Sequence, residues 1–268
     1  MSPKIAFLGA GNMAAAMVAG LLKNGHPPAE IACYTASGQS AQRLAASTGI
    51  AQAHSIPALL DGAELLVIAF KPQHLATRDP ALVEATAGKL IVSVMVGKTL
   101  AQLRAAFPAA RAWVRAMPNT PGRIGAGVTA WAALAPLDAA DRAHIEALLA
   151  PLGRVLEVAE PQINDIAAVS GSGPAFFFEF AAALSEAAQA AGFPEKLAQE
   201  LVVETLLGSA KLLAQSGEPP EALRNQVTSP NGTTLAGLHQ MEAGGLRQII
   251  RQTVLAAQAR GLEIARDT

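Results

Sequence analysis

Gly9-Ala10-Gly11-Asn12-Met13-Ala14 is the stretch whose residue types and spacing point most directly to a chemistry. Two glycines one residue apart, with a small residue three positions later, follow the G-x-G-x-x-G/A pattern of dinucleotide binding. Gly9 permits a tight turn, Gly11 lets a pyrophosphate approach the backbone, and Ala14 permits close helix packing. The N–H groups that open the next helix then face the phosphates. The bare pattern is common. Here an apolar strand at 4–8 precedes it and an apolar helix from Ala14 to Leu22 follows it.

The end of the second strand decides which dinucleotide fits. A site for NAD usually carries an acid there to hold the ribose hydroxyls. Residues 31–42 contain none. Thr35, Ser37, Ser40 and, one turn later, Arg43 offer donors where a 2′-phosphate would sit, which favours NADPH, with NADH the alternative. The same Ser and Thr types also cap helices. Lys71, in Ala69-Phe70-Lys71-Pro72, follows the strand at 65–69 and is delivered to the sheet's carboxyl edge. Ser93-Val94-Met95-Val96-Gly97 and Met117-Pro118-Asn119-Thr120-Pro121 reach that edge after later strands.

Other motifs fail on spacing. Gly97-Lys98-Thr99 resembles the end of a P-loop, but the first glycine would have to stand at Val92. Ser172 lacks glycines two residues to either side, so it forms no nucleophile elbow. His26, His54, His74, His144 and His239 are scattered without partners at metal-ligand spacing, and no metal is expected.

These residues need a scaffold, and the apolar pattern supplies one. Strands near 4–8, 31–35, 65–69, 90–94 and 112–115 alternate with amphipathic stretches, a βαβ series that builds a mostly parallel sheet. From about Val155 the pattern becomes helical, with helices expected at 174–191, 195–214, 233–243 and 246–265. The fold class is therefore α/β: a Rossmann-type dinucleotide-binding domain over 1–157 and an all-α domain over 158–268. Ala175-Phe176-Phe177-Phe178-Glu179-Phe180 and Leu201-Val202-Val203 are apolar around most of the helix circumference. Such helices need neighbours on more than one side, and an interlocked dimer is expected.

Composition narrows the class further. Twenty basic and 21 acidic side chains leave a formal charge of −1, with no basic stripe to track nucleic acid. Although 51% of the chain is hydrophobic, no uninterrupted apolar run reaches the ~18 residues of a membrane span. The segment before Gly9 is too short for the apolar core of a signal peptide and reads as strand. Cys33 is the only cysteine, so a reducing, cytoplasmic setting is expected.

Val169-Ser170-Gly171-Ser172-Gly173-Pro174-Ala175-Phe176 and Val227-Thr228-Ser229-Pro230-Asn231-Gly232-Thr233-Thr234 resemble two hallmark segments of the pyrroline-5-carboxylate reductases. With Gly9-Ala10-Gly11-Asn12-Met13, Phe70-Lys71-Pro72-Gln73 and Met117-Pro118-Asn119-Thr120-Pro121 they follow the family's order over essentially the whole chain. The resemblance implies NAD(P)H-dependent reduction of L-1-pyrroline-5-carboxylate to L-proline, the last step of proline biosynthesis. It also implies a dimer with intertwined helical domains, in some members a larger ring of dimers, and a substrate site between subunits. By the same match Leu8, Gly9, Ala10, Gly11, Asn12, Met13, Thr35, Ala69, Phe70, Lys71, Pro72, Val94, Met95 and Val96 line the cofactor, with Ser37 and Asn119 beside them. Gly232, Thr233 and Thr234 hold the cyclic imine. Asn231 stands where the family more usually has glycine, and Asn tolerates a left-handed backbone. Phe70 replaces a small aliphatic residue.

Those residue types suit the reaction. A protonated imine carbon is already electrophilic, so positioning matters more than acid or base groups. Backbone N–H groups of Gly232, Thr233 and Thr234, at a helix start, can hold a carboxylate. The Thr234 hydroxyl can orient the ring nitrogen or relay a proton to it. The residues alone reach a Rossmann oxidoreductase, and two other readings share them: another imine or 3-hydroxyacid oxidoreductase, and an NADPH-binding regulator without turnover. A 3-hydroxyacid dehydrogenase would need lysine four residues after Gly173, where Phe177 stands.

Overall fold

The computed structural model describes residues 4–267. Its contacts divide the chain into two compact units, one running to Ser172 and resuming at Ala257, the other Gly173–Ala256. The division falls later than the 157/158 boundary read from the sequence. The helix and turn at 160–171 pack with the sheet, and the change from strand to helix pattern cannot reveal that.

The first unit is a doubly wound sheet. In chain order it comprises β1 (Ile5–Leu8), α1 (Asn12–Lys23), β2 (Ile31–Tyr34), α2 (Gln39–Thr48), β3 (Ala51–Gln52), α3 (Ile56–Leu60), β4 (Leu65–Ile68) and α4 (Pro80–Ala85). It continues with β5 (Leu90–Ser93), α5 (Leu100–Ala106), β6 (Ala112–Met117), β7 (Gly127–Ala133), α6 (Ala139–Leu149), β8 (Gly153–Glu157) and α7 (Glu160–Ile166). A π turn, Ala167–Gly171, follows α7. The strand order is β3-β2-β1-β4-β5-β6-β7-β8. Every pairing is parallel except β6 with β7.

Alternation along each strand feeds two cores. Ile5, Phe7, Leu65 and Val67 pack with Met17, Leu21 and Leu148 on one face. Ala6, Leu8, Leu66 and Ile68 pack with Leu59, Leu103 and Phe107 on the other. Both faces are covered, which is why these strands read as continuous apolar runs. The strand order reverses beside β1, between β2 and β4, and a sheet of this kind opens its ligand crevice there, at the carboxyl ends.

The second unit holds α8 (Gly173–Ala190), α9 (Glu195–Ser216), α10 (Pro220–Gln226), α11 (Thr233–Ala243) and the first part of α12 (Leu246–Asp267). Four of these five stand close to the spans read from the sequence; α10 was not anticipated. Among the described residues of this unit only Gly173, Ala198 and Val202 are buried. Phe177 and Phe178 remain 69% and 68% exposed. By length and composition alone one helical run, Glu160–Ala190, would pass for a membrane span. It is broken by the π turn and carries Glu160, Asp165, Glu179 and Glu186.

Candidate functional site

The turn leaving β1 is built around Gly9. Its φ is +118°, and a Cβ there would lie 2.5 Å from the carbonyl carbon and oxygen of Ala69 and 2.8 Å from the Phe70 nitrogen. Only glycine lets the exits of β1 and β4 cross so closely. The Gly9 N–H donates to the Tyr34 carbonyl at 2.9 Å, Ala69 N–H to Leu8 at 2.9 Å, and Val94 N–H to Ile68 at 3.1 Å. Hydrogen bonds thus stitch together the segments Leu8–Met13, Ala69–Pro72 and Val94–Val96 at one sheet edge.

Gly11 has the opposite surroundings. A Cβ at this position would meet nothing within 4 Å. Gly11 and Asn12 are exposed, and α1 starts with no side-chain cap and no acid in its first turn. The first N–H groups of a helix lack intrahelical partners and carry its positive end. A bare backbone cradle with open space in front of it fits a dinucleotide pyrophosphate.

Beside it, the turn from β2 to α2 closes with the Gly38 N–H on the Thr35 carbonyl at 3.0 Å. The Ser40 hydroxyl donates to Thr35 Oγ1 at 3.5 Å. Ser37 is exposed, as is Arg43 on the first turns of α2. No Asp or Glu occurs in the segment 31–42 that forms this turn. Lys71 is exposed just ahead of the 3₁₀ turn Pro72–Leu75. Phe70 is half-buried against the second core.

The segment after β5 is firmly supported. The buried Ser93 hydroxyl accepts the Met95 N–H at 3.2 Å, Met95 is buried, and Val96 is 41% exposed. Burial lowers the Lys98 ammonium below its ordinary pKa. Thr99 and Gln102 form a capping box at α5, and Glu160 Oε1 accepts the Leu100 N–H at 2.6 Å. Glu160 also faces the buried Arg115 at 3.7 Å, while Arg115 donates to Asn164 Oδ1 at 2.6 Å. Burial pulls the Arg115 pKa down, and Glu160 offsets part of that. These contacts join residues far apart in the chain, so no local pattern announces them.

Asn119 lies at the same edge, but its carboxamide is already engaged. Nδ2 donates to the Ser170 carbonyl at 2.9 Å, and Oδ1 accepts the Val128 N–H at 2.9 Å. The side chain ties the exit of β6 to the π turn and to β7.

The residues expected at the imine sit in the helical unit. Asn231 has φ +55°, the left-handed conformation that its residue type tolerates. Gly232 caps α11, and a Cβ on it would come 2.3 Å from Ser229 Oγ. The Gly232 N–H, expected to bind a carboxylate, instead donates to the Ser229 carbonyl at 3.0 Å. That bond closes the turn ahead of α11. Thr233 and Thr234 open α11, exposed, with no acid in the first turn, so their N–H groups are the ones available to an anion.

The family described as pyrroline-5-carboxylate reductase dimerisation matches residues 160–264, and NADP oxidoreductase coenzyme F420-dependent matches residues 4–97. A pyrroline-5-carboxylate reductase of Pseudomonas aeruginosa is 36% identical over 266 residues, covering 98% of this chain and 97% of that one. Among solved structures, a pyrroline-5-carboxylate reductase from Coxiella burnetii superposes with a TM-score of 0.90 at 32% identity, covering 99% of each chain. A Plasmodium falciparum pyrroline carboxylate reductase with NADP bound shares the fold, at a TM-score of 0.87 and 24% identity over 98% of each chain. With a glycine turn that fits a dinucleotide, residues 160–264 that match the dimerisation family, and relatives aligned nearly end to end, the chain belongs to the pyrroline-5-carboxylate reductase family.

Proposed function

We infer that the chain reduces L-1-pyrroline-5-carboxylate to L-proline with NADPH, closing proline biosynthesis. The observation that carries this reading is full-length kinship at 36% identity with a reductase of that name, joined to an open, acid-free dinucleotide cradle at Gly11. NADPH, when bound, supplies the hydride. Leu8 to Met13 hold its pyrophosphate, and Thr35, Ser37 and Arg43 receive the 2′-phosphate. Ala69 to Pro72 and Val94 to Val96 flank the remaining half.

For the imine, the N–H groups of Thr233 and Thr234 at the start of α11 hold the carboxylate without any arginine. The Thr234 hydroxyl orients the ring nitrogen, and Gly232 shapes the turn that presents both threonines. The working form is a cytoplasmic homodimer. Phe177, Phe178, Val203 and Leu212, each more than half exposed, supply the apolar surface that a second copy covers.

The test follows NADPH absorbance when purified protein meets the imine, with NADH in parallel and proline assayed as product. Fast oxidation of NADPH, slower oxidation of NADH and accumulation of proline are expected. NADPH binding without turnover would assign the chain to a regulator instead.

A further inference from the structure

The segment from Val94 to Thr99 is supported on one side by Ser93 Oγ, which accepts the Met95 N–H, and just beyond its end by Glu160, which accepts the Leu100 N–H. A further support comes from the end of the chain. Residues 257–266 belong with the sheet-bearing unit, and Gln258 Nε2 donates to Asp165 Oδ1 at 2.7 Å. Farther along α12, Ile264 and Ala265 close on Gly97. Gly97 has φ +77°, and a Cβ on it would meet Ile264 Cγ2 at 2.8 Å and the Ala265 nitrogen at 3.3 Å. The bare Cα therefore accepts a branched methyl and a helix backbone directly, leaving the loop little room to move on that side.

This contact bears on one half of the cofactor only. In a doubly wound sheet the two halves of a dinucleotide lie on either side of the strand-order reversal. The glycine turn and the Thr35 corner belong to β1 and β2, whereas Val94–Gly97 follows β5, beyond β4. We propose that Ile264 is a positioning residue for the nicotinamide half: through its Cγ2 methyl, the end of α12 presets the 94–97 loop before NADPH binds. The proposal rests on the cofactor placement given above. A preset loop binds without the ordering cost that a mobile loop carries.

Ile264→Ala and Ile264→Leu both remove Cγ2, the second at constant volume, which core positions tolerate well. Ile264→Val keeps the methyl. Calorimetric titration of the whole protein compares NADPH with adenosine 2′,5′-bisphosphate, which occupies the other half alone. The expected result for Ala and Leu is NADPH affinity lower by about fivefold, with the bisphosphate unchanged and Val near wild type. Unchanged NADPH affinity in the Leu variant, or equal losses for both ligands, would overturn the proposal. If wild-type protein fails to bind the bisphosphate, the cofactor placement itself falls, a separate failure read on a separate ligand.

Discussion

At the scale of single residues, Gly9 and Gly11 belong to one motif yet do different work, and substitution separates them. Gly9→Ala places a Cβ 2.5 Å from the Ala69 backbone at φ +118°, so unfolding free energy should fall by about 2–4 kcal/mol in a denaturant titration. Gly11→Val meets open space, so that variant should melt like wild type while losing NADPH binding. Equal damage to folding from both would mean that the cradle at Gly11 is misassigned. Asn119→Ala leaves the Val128 N–H without its acceptor and should cost about 1–3 kcal/mol of stability. Thr234→Ala should lower kcat by about 10²-fold with the NADPH dissociation constant retained. An unchanged kcat would remove Thr234 from the chemistry.

At the scale of elements, α8 presents Phe177 and Phe178 to the outside, on a helix whose unit buries few side chains. Phe178→Glu should convert the assembly to monomer in light scattering at micromolar protein, and a retained dimer mass would place the interface elsewhere. The sequence pattern disclosed these helices well, because a long apolar periodicity bounded by Gly192, Gly217 and Gly244 leaves little choice of register. It missed α10, which is seven residues long and mostly polar. It also missed β3, which spans only two residues, and β7 and β8, each of which opens on a glycine, a residue depleted in strands. The site shows the same contrast. Glycine spacing marked the tight turn after β1 and the bare start of α1, and Asn231 its left-handed turn. The Gly232 N–H within that turn, the carboxamide bonds of Asn119 and the packing of Ile264 on Gly97 are contacts made by the fold, which no one-dimensional pattern contains.

For the whole molecule, one unit holds every residue assigned to the cofactor and the other holds the threonines assigned to the imine. Reduction of the imine requires both sets of residues in one hydride transfer. The most direct measurement supplies NADPH deuterated at the transferable C4 position together with L-1-pyrroline-5-carboxylate, and reads the product by mass spectrometry and NMR. The predicted result is L-proline carrying a single deuterium on the ring carbon next to nitrogen that was formerly the imine carbon. Proline without the label, or bound NADPH that is never oxidised, would contradict it.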